Sequence, residues 1–154
     1  MLHKTHGFTF LEVLIAVAII AVVAALVFVS FNRSNQVSAL SGSTEVIVSV
    51  IQEARTLTLA SKAASQYGVH FSVDEVVLFK GATYSTSDPE NRTTRIHPLV
   101  RISVITLSGG GTDVVFKRLT GGTDQNGTIT LELASDPSRQ EMVTITITGI
   151  VEVQ

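Results

Sequence analysis

From Val13 to Val29 every residue is Val, Leu, Ile, Ala or Phe, and Phe8, Phe10, Leu11 and Phe31 extend the apolar character on either side. Such a run is long enough, as a helix, to cross a bilayer core of roughly 17–25 residues. One carboxylate, Glu12, sits at its edge. After a polar patch at Asn32 to Gln36 the pattern changes rather than stopping. Leu40, Thr44, Ile47, Ile51, Ala54 and Thr58 recur at helical spacing, as do Val46, Val50, Leu57, Ala60 and Ala64. The first proline is Pro89, so nothing obliges a helix to break between Phe8 and about Ser65. The expectation is one helix, bare hydrophobe in its first half and amphipathic in its second.

Beyond Gln66 to Gly68 the period shortens to that of strands. The runs are VHFSV (69–73), VVLFK (76–80), LVRISVITL (99–107), DVVFKRL (113–119), TITLEL (128–133) and MVTITITGIVEV (142–153). Turn chemistry separates them at Asp74-Glu75, Gly109 to Gly111, Gly121 to Gly127 and Asp136 to Ser138. In the last run Val143, Ile145 and Ile147 alternate with Thr144, Thr146 and Thr148, which reads as one buried and one wetted face. The stretch 81–98 reads as a long exposed loop. The fold class is therefore α+β: a long N-terminal helix, membrane-spanning in its first half, whose second half packs on an antiparallel β-sheet head.

Composition narrows the function classes. The 154 residues fit about one domain. A formal net charge of −2 gives no bulk attraction to nucleic acid or an anionic membrane. The absence of cysteine removes disulfides, thiolate metal sites and cysteine nucleophiles. The basic residues before the apolar run, His3, Lys4 and His6, favour a cytoplasmic N-terminus with the remainder translocated. The segment VSFNRSNQ offers no signal-peptidase site. A carboxylate at the margin of hydrocarbon is costly unless paired, so Glu12 asks for a cationic partner.

The N-terminal stretch KTHGFTFLEVLIAVAII resembles the signal of type IV pilins and type II secretion pseudopilins. Its parts are a short basic leader ending at Gly7, aromatic Phe8, hydroxyl-bearing Thr9, Glu12 and an unbroken apolar run. VIVSVIQEARTLTLASKAASQYGVHFS and VTITITGIVEV, the latter with its late Gly149, resemble the helix-to-strand segment and the C-terminal strand of the GspH/FimT minor pseudopilin group. The resemblance implies a pilin fold and four parts: a leader at 1–7, a transmembrane and filament-core helix at 8–31, an amphipathic helix at 32–66 and a β head at 67–154. It implies cleavage by a prepilin peptidase between Gly7 and Phe8, methylation of the Phe8 amine, and pairing of Glu12 with that amine on a neighbouring subunit. Implied partners are the peptidase, other pilin or pseudopilin subunits, the inner-membrane assembly platform and, before assembly, the bilayer. The implied location is the bacterial inner membrane with the head outside the cytoplasm, then the filament. The missing helix-bending proline and C-terminal disulfide of many major pilins point to a minor subunit, at filament initiation or tip.

Two other functions compete with that of a structural subunit. Some FimT-like minor pilins take part in DNA uptake, and Arg92, Arg95, Arg101, Lys117 and Arg118 are the cations a phosphate patch here has available; the acidic balance of the head disfavours it. A plain signal-anchored β domain predicts no processing at Gly7. Remaining motifs are bland. Gly109 to Gly111 lacks a phosphate loop's Lys-Ser/Thr and reads as a hairpin connection. TDQNG (123–127) matches the opening of a calcium loop without its glutamate. His70 and His97 have no ligand-spaced partner, and Asn91-Arg92-Thr93 is a three-residue sequon. No catalytic constellation, metal site or cofactor is expected.

Overall fold

The computed structural model describes residues 9–60 and 64–154, with side chains outside 29–33. The element order is α1 (Phe10–Leu59), β1 (Tyr67–Phe71), β2 (Glu75–Lys80), β3 (Arg92–Arg95), β4 (Val100–Leu107), β5 (Asp113–Val115), β6 (Gly127–Leu133), β7 (Asp136–Ile145) and β8 (Val151–Val153). The chain divides into two units, one ending at Asn35 and one comprising Gln36–Gln154. In the first, Phe10–Phe28 is helical, wholly apolar apart from Glu12, and exposed throughout. By length and composition it can cross a membrane.

In the second unit the expected helix face is the buried one. Leu40, Thr44, Ile47, Ile51, Ala54 and Thr58 are all buried, with Ala39, Ser43 and Val50 beside them, while Ala60 and Ala64 of the second expected set are exposed. Three hydroxyls on this face, Ser43, Thr44 and Thr58, donate to the carbonyl four residues back, which satisfies them without a polar partner in the core. Two four-stranded antiparallel sheets receive the face, ordered β3-β2-β1-β5 and β4-β6-β7-β8. The first contributes Val69, Phe71, Val76, Leu78 and Val114, and the second Val100, Ile102, Ile129, Leu131, Leu133, Val143 and Ile145. The core of the head therefore lies between helix residues from Ala39 on and the strands, with Ile96 and Phe116 added from the segments after β3 and β5.

Several expectations change. α1 ends at Leu59, short of Ser65, because Thr58 Oγ1 accepts the Tyr67 amide at 2.9 Å and draws the first strand back against the last turn. The run 142–153 is two strands, not one. Thr146 and Ile150 exchange bonds across a three-residue loop in which Gly149 has φ 76°, a hairpin closure that puts Ile147 at the corner and in water instead of on the buried face. The 113–119 run keeps only Asp113–Val115 as strand, and Gly109 to Gly111 connects β4 to β5 across the two sheets, so it is no hairpin.

The 81–98 stretch contains β3, paired with β2 from Glu75↔Arg95 to Leu78↔Arg92. Its four residues, Arg-Thr-Thr-Arg, carry no buried face, so no hydrophobic alternation announced it. The rest of the stretch is tied down. Tyr84 stacks on His70 with ring centroids 4.0 Å apart and meets Phe79 at 5.6 Å, covering the outer face of β2, where Val77 and Phe79 are buried. Lys80 pairs with Glu90 across its two ends at 2.8 Å, and this hydrogen bond raises the lysine's pKa.

Candidate functional site: the capped apolar helix

Thr9 is the N-cap of α1. Its hydroxyl accepts the Glu12 amide at 3.2 Å, and its carbonyl accepts the Val13 amide at 3.2 Å, closing the first helical turn. Glu12 is thus the third helical residue, the place where a carboxylate meets the positive end of the helix dipole. Thr-x-x-Glu is the sequence of a capping box, a signal legible in the chain beside the unpaired charge. Two demands meet at Glu12. Its position suits the start of a helix in water, and its exposed carboxylate stands at the head of an exposed apolar surface from Phe10 to Phe28. Gly7 and Phe8, the expected cleavage and methylation positions, lie outside the described residues.

The five cations proposed for phosphate binding are not brought together. Arg92 and Arg95 lie on β3, at one edge of the first sheet, Lys117 and Arg118 follow β5 at its other edge, and Arg101 is on β4 of the second sheet. Four face carboxylates. Arg92 forms a two-pronged pair with Glu53 at 2.6 and 3.1 Å, Arg95 lies 3.9 Å from Glu75, Arg101 bonds Glu132 at 2.6 Å, and Lys117 bonds Asp124 at 2.5 Å. Among the described side chains Arg118 is the one cation with neither a carboxylate nor a carbonyl partner. The TDQNG turn spends Asp124 on Lys117, and the Gln125 side-chain oxygen accepts from Thr123 and from the Val115 amide.

Other polar side chains are bonded within the head. His70 Nδ1 is 2.6 Å from Asp113 Oδ1, joining register partners on β1 and β5, and Ser72 Oγ lies 3.3 Å from its Nε2. In this row of Ser, His and Asp the Ser72 N–H is bonded to Glu75 O. A separation of 43 positions hid the pair from the sequence. His97 Nδ1 accepts the Leu99 amide at 3.2 Å, and Asn91 Nδ2 donates to Ser85 O at 2.7 Å. Arg55, second of the Ala-Arg pair, donates from Nε to Gly121 O at 3.1 Å and from Nη2 to Thr148 O at 3.4 Å. One helix side chain so holds the β5–β6 loop and the β7–β8 turn.

Comparison with known proteins agrees with this geometry at both ends of the chain. Residues 2–28 match the family model described as the prokaryotic N-terminal methylation motif. Among solved structures the chain is similar to the type IV minor pilin FimU of Pseudomonas aeruginosa, with a TM-score of 0.58 at 11% identity over 75% of this chain and 92% of that one. It is also similar to the minor pseudopilin EpsH of the Vibrio cholerae type 2 secretion system. Two structures of that protein give TM-scores of 0.55 and 0.56 at 11% and 13% identity, over 75% of this chain and 95% and 93% of theirs. The head has the fold these minor pilins and pseudopilins share. A search of curated proteins returns no match.

Proposed function

We propose that this chain is a minor pilin or pseudopilin. In this reading it is held in the membrane by the helix beginning at Phe10, cut between Gly7 and Phe8, methylated on the Phe8 amine, and drawn into a filament. The observation that carries the reading is the pairing of an exposed apolar helix with one exposed carboxylate, Glu12, at its capped start, inside a segment that matches the methylation motif. A helix apolar on all sides is stable only in lipid or within a bundle of like helices. Transfer from one to the other leaves Glu12 in a medium where an unpaired charge is penalised, and the Phe8 amine of a neighbouring subunit supplies the opposite charge. The pairing also sets axial register, because a slip by one turn leaves both charges unpaired. The head, with its ion pairs closed internally, serves as the part that contacts neighbours or the machine's outer components.

Mass spectrometry of the mature N-terminus after co-expression with a prepilin peptidase tests the reading. The expected product begins at a methylated Phe8. A product that retains Met1 to Gly7 excludes it and leaves a plain signal-anchored domain.

A further inference from the structure

Leu119 has two costs and no return within its own chain. Its φ of 73° is left-handed, a region that bulky side chains avoid, and it is 85% exposed, the most exposed large apolar residue of the described chain. The loop enforces this placement: Lys117 N–H donates to Gly122 O at 2.8 Å and Gly121 N–H donates to Lys117 O at 2.9 Å. The neighbouring β7–β8 turn, joined to the loop by the Thr123 amide on Ile147 O at 3.0 Å, exposes Ile147 in the same way. Beside Leu119 stands Arg118, the cation with no partner among the described residues. The two joined turns thus present two exposed apolar side chains and one uncommitted positive charge as a knob, beside the end of α1, where Arg55 and Leu59 approach Gly121.

A complementary surface exists on the same head. A groove of about 510 Å³ runs between α1 and the second sheet, floored by Val48, Ser49 and Val153 and bordered by Glu45, Gln52 and Glu141. It contains carboxylates and no cation. Glu141 is engaged by Ser41 Oγ at 2.8 Å, whereas Glu45 is exposed and forms no ion pair among the described residues. From Val48 to Leu59 the helix advances about 16 Å, so a chain cannot fold its own knob into its own groove. A contact between copies then seats the knob of one in the groove of the other.

We infer that the Arg118–Leu119 turn, with Ile147, docks into the Val48/Val153 groove of a second copy of this chain, with Arg118 meeting Glu45. The contact rests on the assembly reading for its purpose, but its test needs neither leader cleavage nor methylation. The chain has no cysteine, so introduced ones are unique. Full-length Leu119→Cys and Ser49→Cys chains, mixed in detergent and oxidised, are expected to give several-fold more disulfide-linked dimer than a Val104→Cys and Ser49→Cys mixture. Adding Arg118→Glu to the first chain lowers the yield, and Glu45→Lys in the second restores it. Leu119→Asn, whose side chain tolerates the left-handed region, is expected to unfold at the same or a higher temperature than the unaltered chain. Yields no greater than the Val104 control overturn the proposal, as does protection of Leu119→Cys from maleimide by phosphatidylglycerol vesicles without mixed dimer. A lower unfolding temperature for Leu119→Asn also overturns it, since the leucine then serves its own chain.

Discussion

The Nε of Arg55 donates to the carbonyl of Gly121 at 3.1 Å, tying the last turns of the helix to a loop 66 residues later. The same guanidinium reaches Thr148 O at 3.4 Å. Hydrogen bonds from charged donors contribute roughly 1.5–3 kcal/mol when they replace water well. Arg55→Ala is therefore expected to lower the unfolding free energy by about 2 kcal/mol, with Arg55→Lys losing about half of that. Urea denaturation at constant m-value reads the change, and an unchanged midpoint for Arg55→Ala removes the tie from the list of stabilising contacts.

Gly149→Ala is expected to be more damaging. The residue has φ 76°, and a β-carbon there runs into the Gly121 carbonyl oxygen and approaches Arg55 Nε at 3.0 Å. Strain and collision act at the same point, so a loss of roughly 3 kcal/mol or more follows. Thermal unfolding of the variant settles it, with a shift of less than a degree as the contrary result.

Glu12 has a capping position as well as an exposed charge, and the two roles separate by substitution. Glutamine also serves in a capping box. Glu12→Gln is expected to keep the helix start and cleavage at Gly7 while reducing incorporation into filaments as much as Glu12→Ala does. Counting the subunit in sheared filaments against the membrane pool measures this. Normal assembly of Glu12→Gln eliminates charge pairing as the role of this residue.

Asp136 accepts from Ser138 Oγ at 2.6 Å and from the Ser138 amide at 3.2 Å, and the first of these bonds leads in lowering its pKa from 3.8. A carboxyl depressed in the folded state stabilises above its unfolded pKa and loses that contribution as pH falls through the lower folded value. Removing it with Asp136→Asn should flatten the stability curve below about pH 3.8 and lower the plateau above it. Chemical denaturation across pH 2.5–6 (a window of about this width around the unfolded value) checks the slope; parallel curves for the two proteins contradict it.

The Glu53–Arg92 pair links α1 to the edge strand β3. Both side chains are well exposed, so a double-mutant cycle is expected to give about 0.5–1 kcal/mol, shrinking in 1 M salt. Coupling near zero at low salt shows that β3 is held by its ladder to β2 alone.

The parts of the molecule legible in its sequence are those governed by local periodicity. The apolar run to Val29, the buried helix face from Leu40 to Thr58, and strands β1, β2, β4 and β6 each repeat a pattern within a few residues, because one face must meet a core. Thr9 and Glu12 were readable as a cap for the same reason, at a spacing of three. β3 was not, since Arg-Thr-Thr-Arg buries nothing, and the break between β7 and β8 hid behind an alternation that continued through a turn. For the cations from Arg92 to Arg118, sequence counts the charges without their partners.

Chain order alone determined an apolar helix with a charge at its start and an amphipathic continuation over an antiparallel head. These depend on side-chain period and hydrophobic transfer, which act within a segment. Only the tertiary structure decided that the head has two sheets, that Arg92, Arg101 and Lys117 are spent on Glu53, Glu132 and Asp124, and that Leu119 is held out in water beside an unspent Arg118. Which charges cancel, and which apolar residues find no cover, is set by contacts between positions tens of residues apart, and those depend on packing that no local pattern encodes.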